Sequence, residues 1–360
     1  MKKKLLFILK RRTLTTEETT TLHNEAPRAN FNYCLSSGLR NSARFVVDML
    51  NSQDIEAKLA EVIDNNCIDR EVTQYQPTHV VIEAFWVVPD KFNILRKLHP
   101  TVKWIIRNHS DLPFLANEGI AIDWSIKYLA YDNVYLAPNS YQTFEDTKKM
   151  ALAAYGLHTA KNKVIYLPNY YPIKQDLRPP KPLGDIIDVG CFGAIRPLKN
   201  QLIQAVAAVH YAKMNNKKLR FHINVARLED KGNVVLRSIR GFFTNLDPKL
   251  YQLVEHGWHN HEDFIQLVRS MDIGLQASFT ETFNIVAADF VSQGVPIVVS
   301  DEIFWMPSYF AVDETDAQAI YNKMEELLAR FLRKLKAQYA LSGLRKYNED
   351  SVAVWTRWFS

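Results

Sequence analysis

The sequence predicts an α/β protein with two domains, and three observations lead to that prediction. The chain has 360 residues, whereas a single hydrophobic core stops growing at roughly 250 to 300 residues. Hydrophobic residues make up 47% and charged residues 23% of the chain, which are ordinary values for a folded globular protein. Short β-branched runs alternate with segments of helical periodicity along most of the chain, a pattern typical of parallel sheets.

The first domain is predicted to span residues 1–171. Its first strand is the apolar run Leu5 to Leu9, which is too short for the apolar region of about 7 to 15 residues in a signal peptide. Residues 13–35 have no clear period and are expected to form a long loop or insertion. Ser42 is the expected N-cap of the following helix. The later elements are strands 57–63, 78–84, 102–107, 134–137 and 163–169 with helices ending at 75 and spanning 90–98, 120–130 and 141–155.

A Pro-rich, polar linker is predicted at residues 172–183, followed by a second αβ series over 184–340. Its expected strands are 186–190, 220–225, 272–277 and 297–300. Its expected helices are 200–213, 232–243, 262–271, the motif helix that begins near 283–285, and 316–337. Residues 341–360 are predicted to end the chain as a helix that buries Trp355 and Trp358. Two such Rossmann-like domains would bind a ligand outside the carboxyl ends of their strands, in a cleft between the domains.

Charge and cysteine usage narrow the function only slightly. The net charge of +5 suits an anionic ligand or serves solubility, and the basic residues form only small clusters, at 2–12, 213–220 and 330–346. Cys34, Cys67 and Cys191 have no metal-ligand spacing, and their odd number gives no disulfide framework. We therefore expect a cytoplasmic protein. No apolar run approaches the ~20 residues that cross a bilayer.

The most informative motif begins at Ser278 and contains two acids eight positions apart, Glu281 and Asp289. The segment between them starts at a turn and continues as an apolar helix, and the Gly294-x-Pro296 turn then leads into a β-branched strand. The helix beginning near Phe283, Asn284 and Ile285 would offer backbone N–H groups and a positive dipole end to a phosphate. Glu281 then precedes the helix, and Asp289 lies about two turns inside it.

This motif resembles the donor site of GT-B retaining glycosyltransferases of the group 1 (family 4-like) type, Ser-x-x-Glu-Gly-Phe-Gly with a second Glu and Gly-x-Pro. The resemblance implies that Glu281 contacts the transferred sugar and Asp289 the ribose of a nucleotide sugar. Thr282 and Asn284 replace the two glycines of the family loop, and we expect backbone strain at Thr282. In the alternative interpretation, Glu281 is only a helix cap and Asp289 only a surface acid.

A second element, from Gly190 to Asn200, resembles the family's Gly-Arg-x-x-x-x-Lys-Asn pattern. The resemblance implies that Lys199 neutralises the departing nucleoside diphosphate. The family arginine falls on Ala194, so Arg196, two residues later, is a candidate from proximity alone. Together with Thr282, Phe283, Asn284, Ile285 and Asp289, Arg196 and Lys199 form the predicted donor-binding set.

In the first domain the resemblance extends to topology and isolated residues. Ser37, Gly38 and Arg40 occupy the expected strand-to-helix loop, where the family places donor phosphate and acceptor; Gly38 is assigned to the donor, and Ser37 and Arg40 to the acceptor side. His109 follows a predicted strand and matches a family histidine that approaches the transferred sugar. Asn169 matches a Pro-Asn turn of structural character. In GT-B enzymes the final helix returns to the first domain, a role that suits residues 341–360.

The expected function is therefore retaining transfer of a sugar from a nucleotide sugar, with a UDP-sugar as the expected donor and without metal or other cofactor. Glu281, His109 and Lys199 are the predicted catalytic residues. The acceptor is left open between a glycan and a hydroxylated base in DNA, which some viral glycosyltransferases modify. Two other classes stay open: a catalytically silent nucleotide-sugar binder or scaffold of the same fold, and a sugar-phosphate epimerase of related architecture. Oligomeric state is not readable from the sequence.

Overall fold

The computed structural model describes residues 3–11, 37–173, 177, 181–329 and 332–360. The predicted insertion at 13–35 and half of the polar linker, residues 174–176 and 178–180, lie outside the described residues. The chain divides into two compact units. Unit 1 contains residues 3–11, Gly38–Pro172 and Tyr347–Ser360, and unit 2 contains the described part of Ile173–Lys346.

Unit 1 is a five-stranded sheet in the order β2-β1-β3-β4-β5, and all of its strand pairs are parallel. Its strands are β1 Lys4–Lys10, β2 Glu56–Val62, β3 His79–Glu83, β4 Lys103–Asn108 and β5 Val134–Pro138. Its helices are α1 Ser37–Ser52, α2 Cys67–Tyr75, α3 Phe92–Leu98, α4 Leu112–Leu115, α5 Ala121–Leu129, α6 Tyr141–Tyr155 and α7 Leu157–Lys163, with a 3₁₀ turn at Pro89–Lys91. Short apolar strands buried on both faces suit such a parallel sheet.

Two apolar layers enclose this sheet. One is formed by Leu6, Ile8, Trp104 and the helices α2, α3 and α5. The other contains Leu5 and Phe7 of β1 together with Trp355 near the chain's end. The Trp355 side chain is fully buried, its ring lies 5.8 Å from that of Phe7, and its indole N–H donates to the Pro168 carbonyl at 2.9 Å. Residues far apart in sequence therefore build one core.

Unit 2 is a six-stranded sheet in the order β11-β10-β9-β6-β7-β8, again with parallel pairs throughout. Its strands are β6 Ile186–Gly190, β7 Lys218–Asn224, β8 Tyr251–His256, β9 Ile273–Gln276, β10 Ile297–Ser300 and β11 Ala311–Val312. Its helices are α8 Gln201–Met214, α9 Gly232–Thr244, α10 His261–Ser270, α11 Ile285–Ser292 and α12 Ala317–Leu328, with 3₁₀ turns at Pro197–Lys199 and Ser308–Phe310. Helix α13, Arg333–Phe359, contributes residues to both units.

Close packing of α11 on this sheet depends on glycine. A Cβ atom added at Gly274 in β9 would lie 2.7 Å from the Phe290 ring, and one added at Gly190 in β6 would lie 2.6 Å from Phe192 and 2.8 Å from Phe290. The two glycines thus make room for Phe290, which is fully buried, and they fix how closely α11 approaches the strands that precede the candidate site.

The predicted α/β class with two parallel-sheet, Rossmann-like domains is confirmed, while several local predictions are wrong. Helix α1 begins at Ser37, so Ser42 lies inside the helix and is not its N-cap. The expected strand 163–169 is a helix end followed by a single bridge at Val164. The expected helix 316–337 stops at Leu328, and a new helix starts at Arg333. Strand β8 was not predicted. Within the described residues, no helix combines the length and apolarity needed to cross a membrane.

Candidate functional site

The candidate donor residues of unit 2 follow strands that are neighbours in its sheet. Arg196 and Lys199 follow β6, Arg227 follows β7, Trp258 follows β8, and Glu281 follows β9. Since β9, β6, β7 and β8 are adjacent in that order, these segments all leave the sheet at its carboxyl edge. That edge is where open parallel sheets bind ligands.

Lys199 and Glu281 form a shielded ion pair at this edge. The ammonium of Lys199 donates to the Glu281 carboxylate, and their side chains are only 13% and 7% exposed. Three backbone anchors hold the two segments together. The Phe279 N–H donates to the Leu198 carbonyl at 2.9 Å, the Asn200 amide donates to the Ala277 carbonyl at 3.0 Å, and the Ala277 N–H donates to the Gln204 side chain at 2.9 Å.

Burial lowers the pKa of Lys199, while Glu281 opposes that shift and Arg196 adds to it. A partly desolvated ammonium of this kind interacts more strongly with an anion than a surface lysine does, because the local dielectric is lower. Cys191 lies in the same region, and burial raises the pKa of its thiol to about 12. Its thiolate is therefore not available at neutral pH.

Arg196 lies in a second, separate cluster. One oxygen of Glu229 accepts from Arg196 Nη1 at 2.9 Å, and the other accepts from Arg227 Nε at 2.5 Å. Burial acts to raise the pKa of Glu229, but the two arginines outweigh burial and hold that pKa below its usual value. Arg227 also lies over the Trp258 ring at 5.8 Å. We refer to Arg196, Glu229 and Arg227 as the arginine pair cluster.

The loop before α11 is shaped by Asn284. Its φ is +55°, whereas Thr282 is not among the described residues with positive φ, so the expected strain at Thr282 is wrong. Asn adopts this left-handed conformation more readily than most residues. The Asn284 side chain accepts from the Ala287 N–H at 2.9 Å and donates to Gln276 at 2.8 Å. Asn284 is thus the N-cap, and α11 begins at Ile285, within the predicted start at 283–285.

Asp289 lies on α11 but is not a surface acid. Its side chain is 3% exposed, and its Oδ1 lies 2.8 Å from Nε2 of His261, the first residue of α10. The contact joins the start of α10 to the middle of α11, and it was not predicted.

The loop between β8 and α10 adds an aromatic and a second histidine. Trp258 packs against Arg227, and burial lowers the pKa of His259, with Asp263 opposing that shift. Behind this loop, His222 Nδ1 lies 2.9 Å from His256 Nε2, and His222 Nε2 lies 3.1 Å from Asp188 Oδ1. No group of three potential ligands for a metal ion occurs among the described residues.

In unit 1, His109 belongs to a buried polar cluster. Its Nε2 bonds to the carboxylate of Glu83, and its Nδ1 lies 3.3 Å from the Asn139 amide nitrogen. Arg107 donates to the same carboxylate at 3.1 Å and to the Leu167 and Pro168 carbonyls at 3.1 and 2.8 Å. Burial lowers the pKa of His109 and outweighs the opposing effect of Glu83. His109 is therefore a neutral imidazole held by Glu83, at the carboxyl end of β4.

The other unit 1 candidates lie on α1 and in the segment after α7. Ser37, Gly38 and Arg40 are in the first turns of α1 and not in a loop; the side chain of Ser37 lies outside the described residues. Arg40 Nε pairs with Glu61 at 2.5 Å. The Asn169 side chain accepts from Arg107, and its N–H donates to the Tyr347 hydroxyl at 2.9 Å, so Asn169 has structural contacts.

Sequence reasoning missed three site residues, Glu83, Arg227 and Glu229, and it also missed the contact between His261 and Asp289. Arg227 and Glu229 follow a β-strand just as Arg196 does, and this position was their only signal. Glu83 had a comparable signal, because it lies near the end of the predicted strand 78–84, beside the strand that leads to His109. Pairing partners in different strands cannot be read without the register.

Comparisons with known proteins agree with the fold but do not assign a family. No protein-family model and no curated protein matches the chain. Solved structures of similar fold include an alpha-glucosyltransferase, a trehalose-6-phosphate synthase and HepE from Anabaena. An alpha-glucosyltransferase in complex with UDP and a 13-mer DNA containing an HMU base has 12% identity, a TM-score of 0.64 and coverage of 98% of this chain and 100% of its own. A trehalose-6-phosphate synthase studied for glycosyl transfer with retention has 11% identity, a TM-score of 0.63 and coverage of 98% of both chains.

The third, HepE from Anabaena in complex with UDP and glucose, has 11% identity, a TM-score of 0.58 and coverage of 98% of this chain and 100% of its own. These matches extend over both units and both sheets, and at such low identity they establish the fold alone. The chain therefore has the GT-B glycosyltransferase fold.

Proposed function

We propose that the protein is a retaining glycosyltransferase that transfers a sugar from a nucleotide sugar to a hydroxyl acceptor. The observation that carries this proposal is the shielded Lys199–Glu281 pair at the carboxyl edge of a parallel sheet. Glu281 precedes the first residue of α11 by four positions. A cation, a carboxylate and the N-terminus of a helix together match a diphosphate joined to a sugar. The structural neighbours named above, two of them solved with UDP, support a UDP-sugar as donor.

In the reaction, the bond from the sugar C1 to the diphosphate oxygen breaks. A bond from C1 to the acceptor oxygen forms on the same face, and a nucleoside diphosphate and a proton are released. Lys199, Arg196 and the N-terminus of α11, at Phe283, Asn284 and Ile285, would stabilise the negative charge on the departing diphosphate. Such electrostatic stabilisation usually contributes most to catalysis. Glu281 would exchange its contact with Lys199 for a sugar hydroxyl, and Asp289 would bind the ribose.

Unit 1 would supply His109 to the transferred sugar. Glu83 fixes Nε2 of this imidazole, so the ring is oriented before substrate binds. Gly38 is proposed to approach the donor, and Ser37 and Arg40 the acceptor. No step requires a metal ion. We also propose a cytoplasmic location, which rests on Cys67 and Cys191 being unpaired.

Two acceptor classes are consistent with this site, a glycan and a hydroxylated base in DNA. The basic net charge and the likeness to a glucosyltransferase solved with DNA favour testing DNA first. DNA affinity should fall steeply with added salt, because counterions are released on binding. Affinity for a neutral glycan should not.

The test measures thermal stability and donor consumption with UDP-, GDP-, ADP- and dTDP-sugars, with and without duplex DNA containing hydroxymethylated bases. Stabilisation by one nucleotide family, following RT ln(1 + [L]/Kd), together with release of the nucleoside diphosphate and an α-linked product from an α-linked donor, is the expected result. If a nucleotide sugar stabilises the protein but no nucleoside diphosphate is released with DNA or with a panel of glycans as acceptor, the catalytically silent binder is favoured. Absence of stabilisation by all four donors would contradict the proposal, and interconversion of the free sugar nucleotide would favour the epimerase.

A further inference from the structure

The arginine pair cluster contains one more cation than a structural ion pair requires. One carboxylate, Glu229, receives two guanidinium groups, each on a different oxygen. The side chains of Arg196 and Glu229 are 17% exposed and that of Arg227 is 27% exposed. Two guanidinium groups are thereby held side by side in a partly desolvated place. Planar guanidinium groups bind phosphate oxygens in a bidentate way that a single lysine cannot reproduce.

The backbone around this cluster is fixed independently of the side chains. The Ile195 N–H donates to the Arg227 carbonyl, and the Glu229 N–H donates to the Ile195 carbonyl, both at 2.9 Å. A Cβ atom added at Gly232 would lie 2.1 Å from the Ile195 oxygen, so the close approach of the two segments requires glycine. The post-β6 and post-β7 segments therefore form one rigid platform that carries both arginines.

The platform lies between two other features of the same sheet edge. On one side are Lys199 and the segment leading to α11, which follow β6 and β9. On the other side is Trp258, which follows β8 and packs against Arg227. The order along the edge is thus a lysine–carboxylate pair, two arginines and an aromatic ring. This order matches the sugar, the two phosphates and the nucleoside of the proposed donor.

We propose that Arg227, held by Glu229 beside Arg196 and packed on Trp258, binds the phosphate nearer the nucleoside and is a donor-binding residue of this enzyme. The proposal rests on the proposed function and adds a residue to its site. Glu229 acts through the two arginines and is a positioning residue. Lys199 and the N-terminus of α11 then bind the other phosphate, which carries the sugar.

The test compares Arg227→Gln and Arg227→Lys with the wild type by calorimetric titration. The probes are the nucleoside diphosphate that stabilises the wild type most among UDP, GDP, ADP and dTDP, the matching monophosphate, and the nucleoside. Arg227→Gln is expected to lower the affinity for the diphosphate and for the monophosphate about tenfold or more. It is expected to lower the affinity for the nucleoside less than about threefold. Arg227→Lys keeps the positive charge but loses the planar guanidinium that can bind two phosphate oxygens. Its affinities are expected to lie between those of the wild type and of Arg227→Gln.

Arg240→Gln is the matched control. Arg240 pairs with Glu255 through two hydrogen bonds of 2.7 and 2.8 Å at comparable exposure, but it lies on α9, outside the candidate site, and should leave all three affinities unchanged. If Arg227→Gln and the wild type bind the diphosphate with equal affinity, the inference is overturned and the proposed function still stands. An equal loss for nucleoside and diphosphate would also overturn it, because it indicates a packing role. If the wild type binds none of the four nucleotides, the inference and the proposed function both fall.

Discussion

Nε2 of His261 lies 2.8 Å from Oδ1 of Asp289 and so joins the start of α10 to the middle of α11. The carboxylate is almost fully buried, so the imidazole supplies a polar contact that water cannot easily replace. Under the proposed function, this carboxylate receives the ribose hydroxyls.

Replacement of His261 by alanine should therefore weaken nucleoside binding. We expect the affinity for UDP and for uridine to fall by a similar factor, about five- to tenfold. This factor corresponds to about 1–1.4 kcal/mol, which is about the net contribution of one ordinary hydrogen bond. Isothermal titration measures both ligands. His158→Ala, on the exposed face of α7, is the control, and unchanged uridine affinity in His261→Ala would show that Asp289 needs no support from His261.

The Lys199–Glu281 pair predicts a non-additive pair of substitutions. Lys199→Met leaves a shielded carboxylate without its cation, and Glu281→Gln leaves the cation without its carboxylate. Breaking a buried pair from one side typically costs about 3–5 kcal/mol. The double variant should regain most of that loss in free energy of unfolding, measured by urea denaturation.

All three variants should nevertheless lose at least about a hundredfold in donor turnover, the scale of losing one transition-state electrostatic contact. Lys217→Met, in which the lost ammonium bonds only to the Gly184 carbonyl among the described contacts, is the control for general effects of lysine loss. An active Lys199→Met enzyme would remove Lys199 from the catalytic assignment, whatever its stability.

Asn284 predicts a graded series at the start of α11. Asn284→Gly keeps the left-handed conformation and loses only the cap, for which we expect a cost of a few tenths to about 1 kcal/mol. Asn284→Ala loses the cap and also places a Cβ in a strained conformation, with an expected cost of about 2–3 kcal/mol. Urea unfolding checks this order. A less stable glycine variant would show that the side-chain bond to Gln276 outweighs backbone strain.

His256 predicts loss of stability on mild acidification. Its pKa falls from 6.5 to about 4, first because of burial and then because of His222 and His259. The folded state therefore disfavours its protonation, so the stabilisation is complete above the unfolded pKa near 6.5 and declines as pH falls towards 4. Glu83 and His109, whose pKa values are also lowered, act in the same direction in unit 1.

Melting temperatures measured from about pH 7.5 to about pH 4.5 should consequently fall for the wild type and fall less for His256→Gln, because one linked proton is removed. His158→Gln, with an exposed imidazole, should follow the wild type. If the melting temperatures of the wild type and of His256→Gln fall equally with pH, groups other than His256 cause the loss of stability in acid.

The sequence predicts the repeating elements of this fold well and predicts pairings poorly. Strand β6 at Ile186–Gly190 agrees with the expectation to the residue, because its β-branched run begins directly after Gly184 and Asp185 and ends at a glycine. Strand β8 was missed because its sequence, Tyr251–His256, mixes charged and apolar residues at a sheet edge, where one side needs no burial. Edge strands carry a weaker apolar signal than central ones.

The candidate site shows the same division. Lys199, Glu281 and Asp289 could be named from spacing, because a motif fixes its residues along the chain. The contacts of Glu229 with Arg196, of His261 with Asp289 and of Glu83 with His109 could not be predicted. Each of these contacts joins segments at the ends of different strands. Thr282 illustrates a related error: a lost glycine in a motif suggests strain at that residue, whereas the backbone places the positive φ at Asn284, where the side chain tolerates it.

The burial of Trp355 against Phe7 has a consequence for synthesis of the chain. Domains usually fold in the order in which they leave the ribosome. Unit 2 is complete once residue 346 has emerged, but the core of unit 1 still lacks the indole that packs on its first strand. The unit that is translated first is thus the one that finishes folding last, and a nascent chain halted before residue 347 should expose β1 and its neighbours to chaperones or proteases.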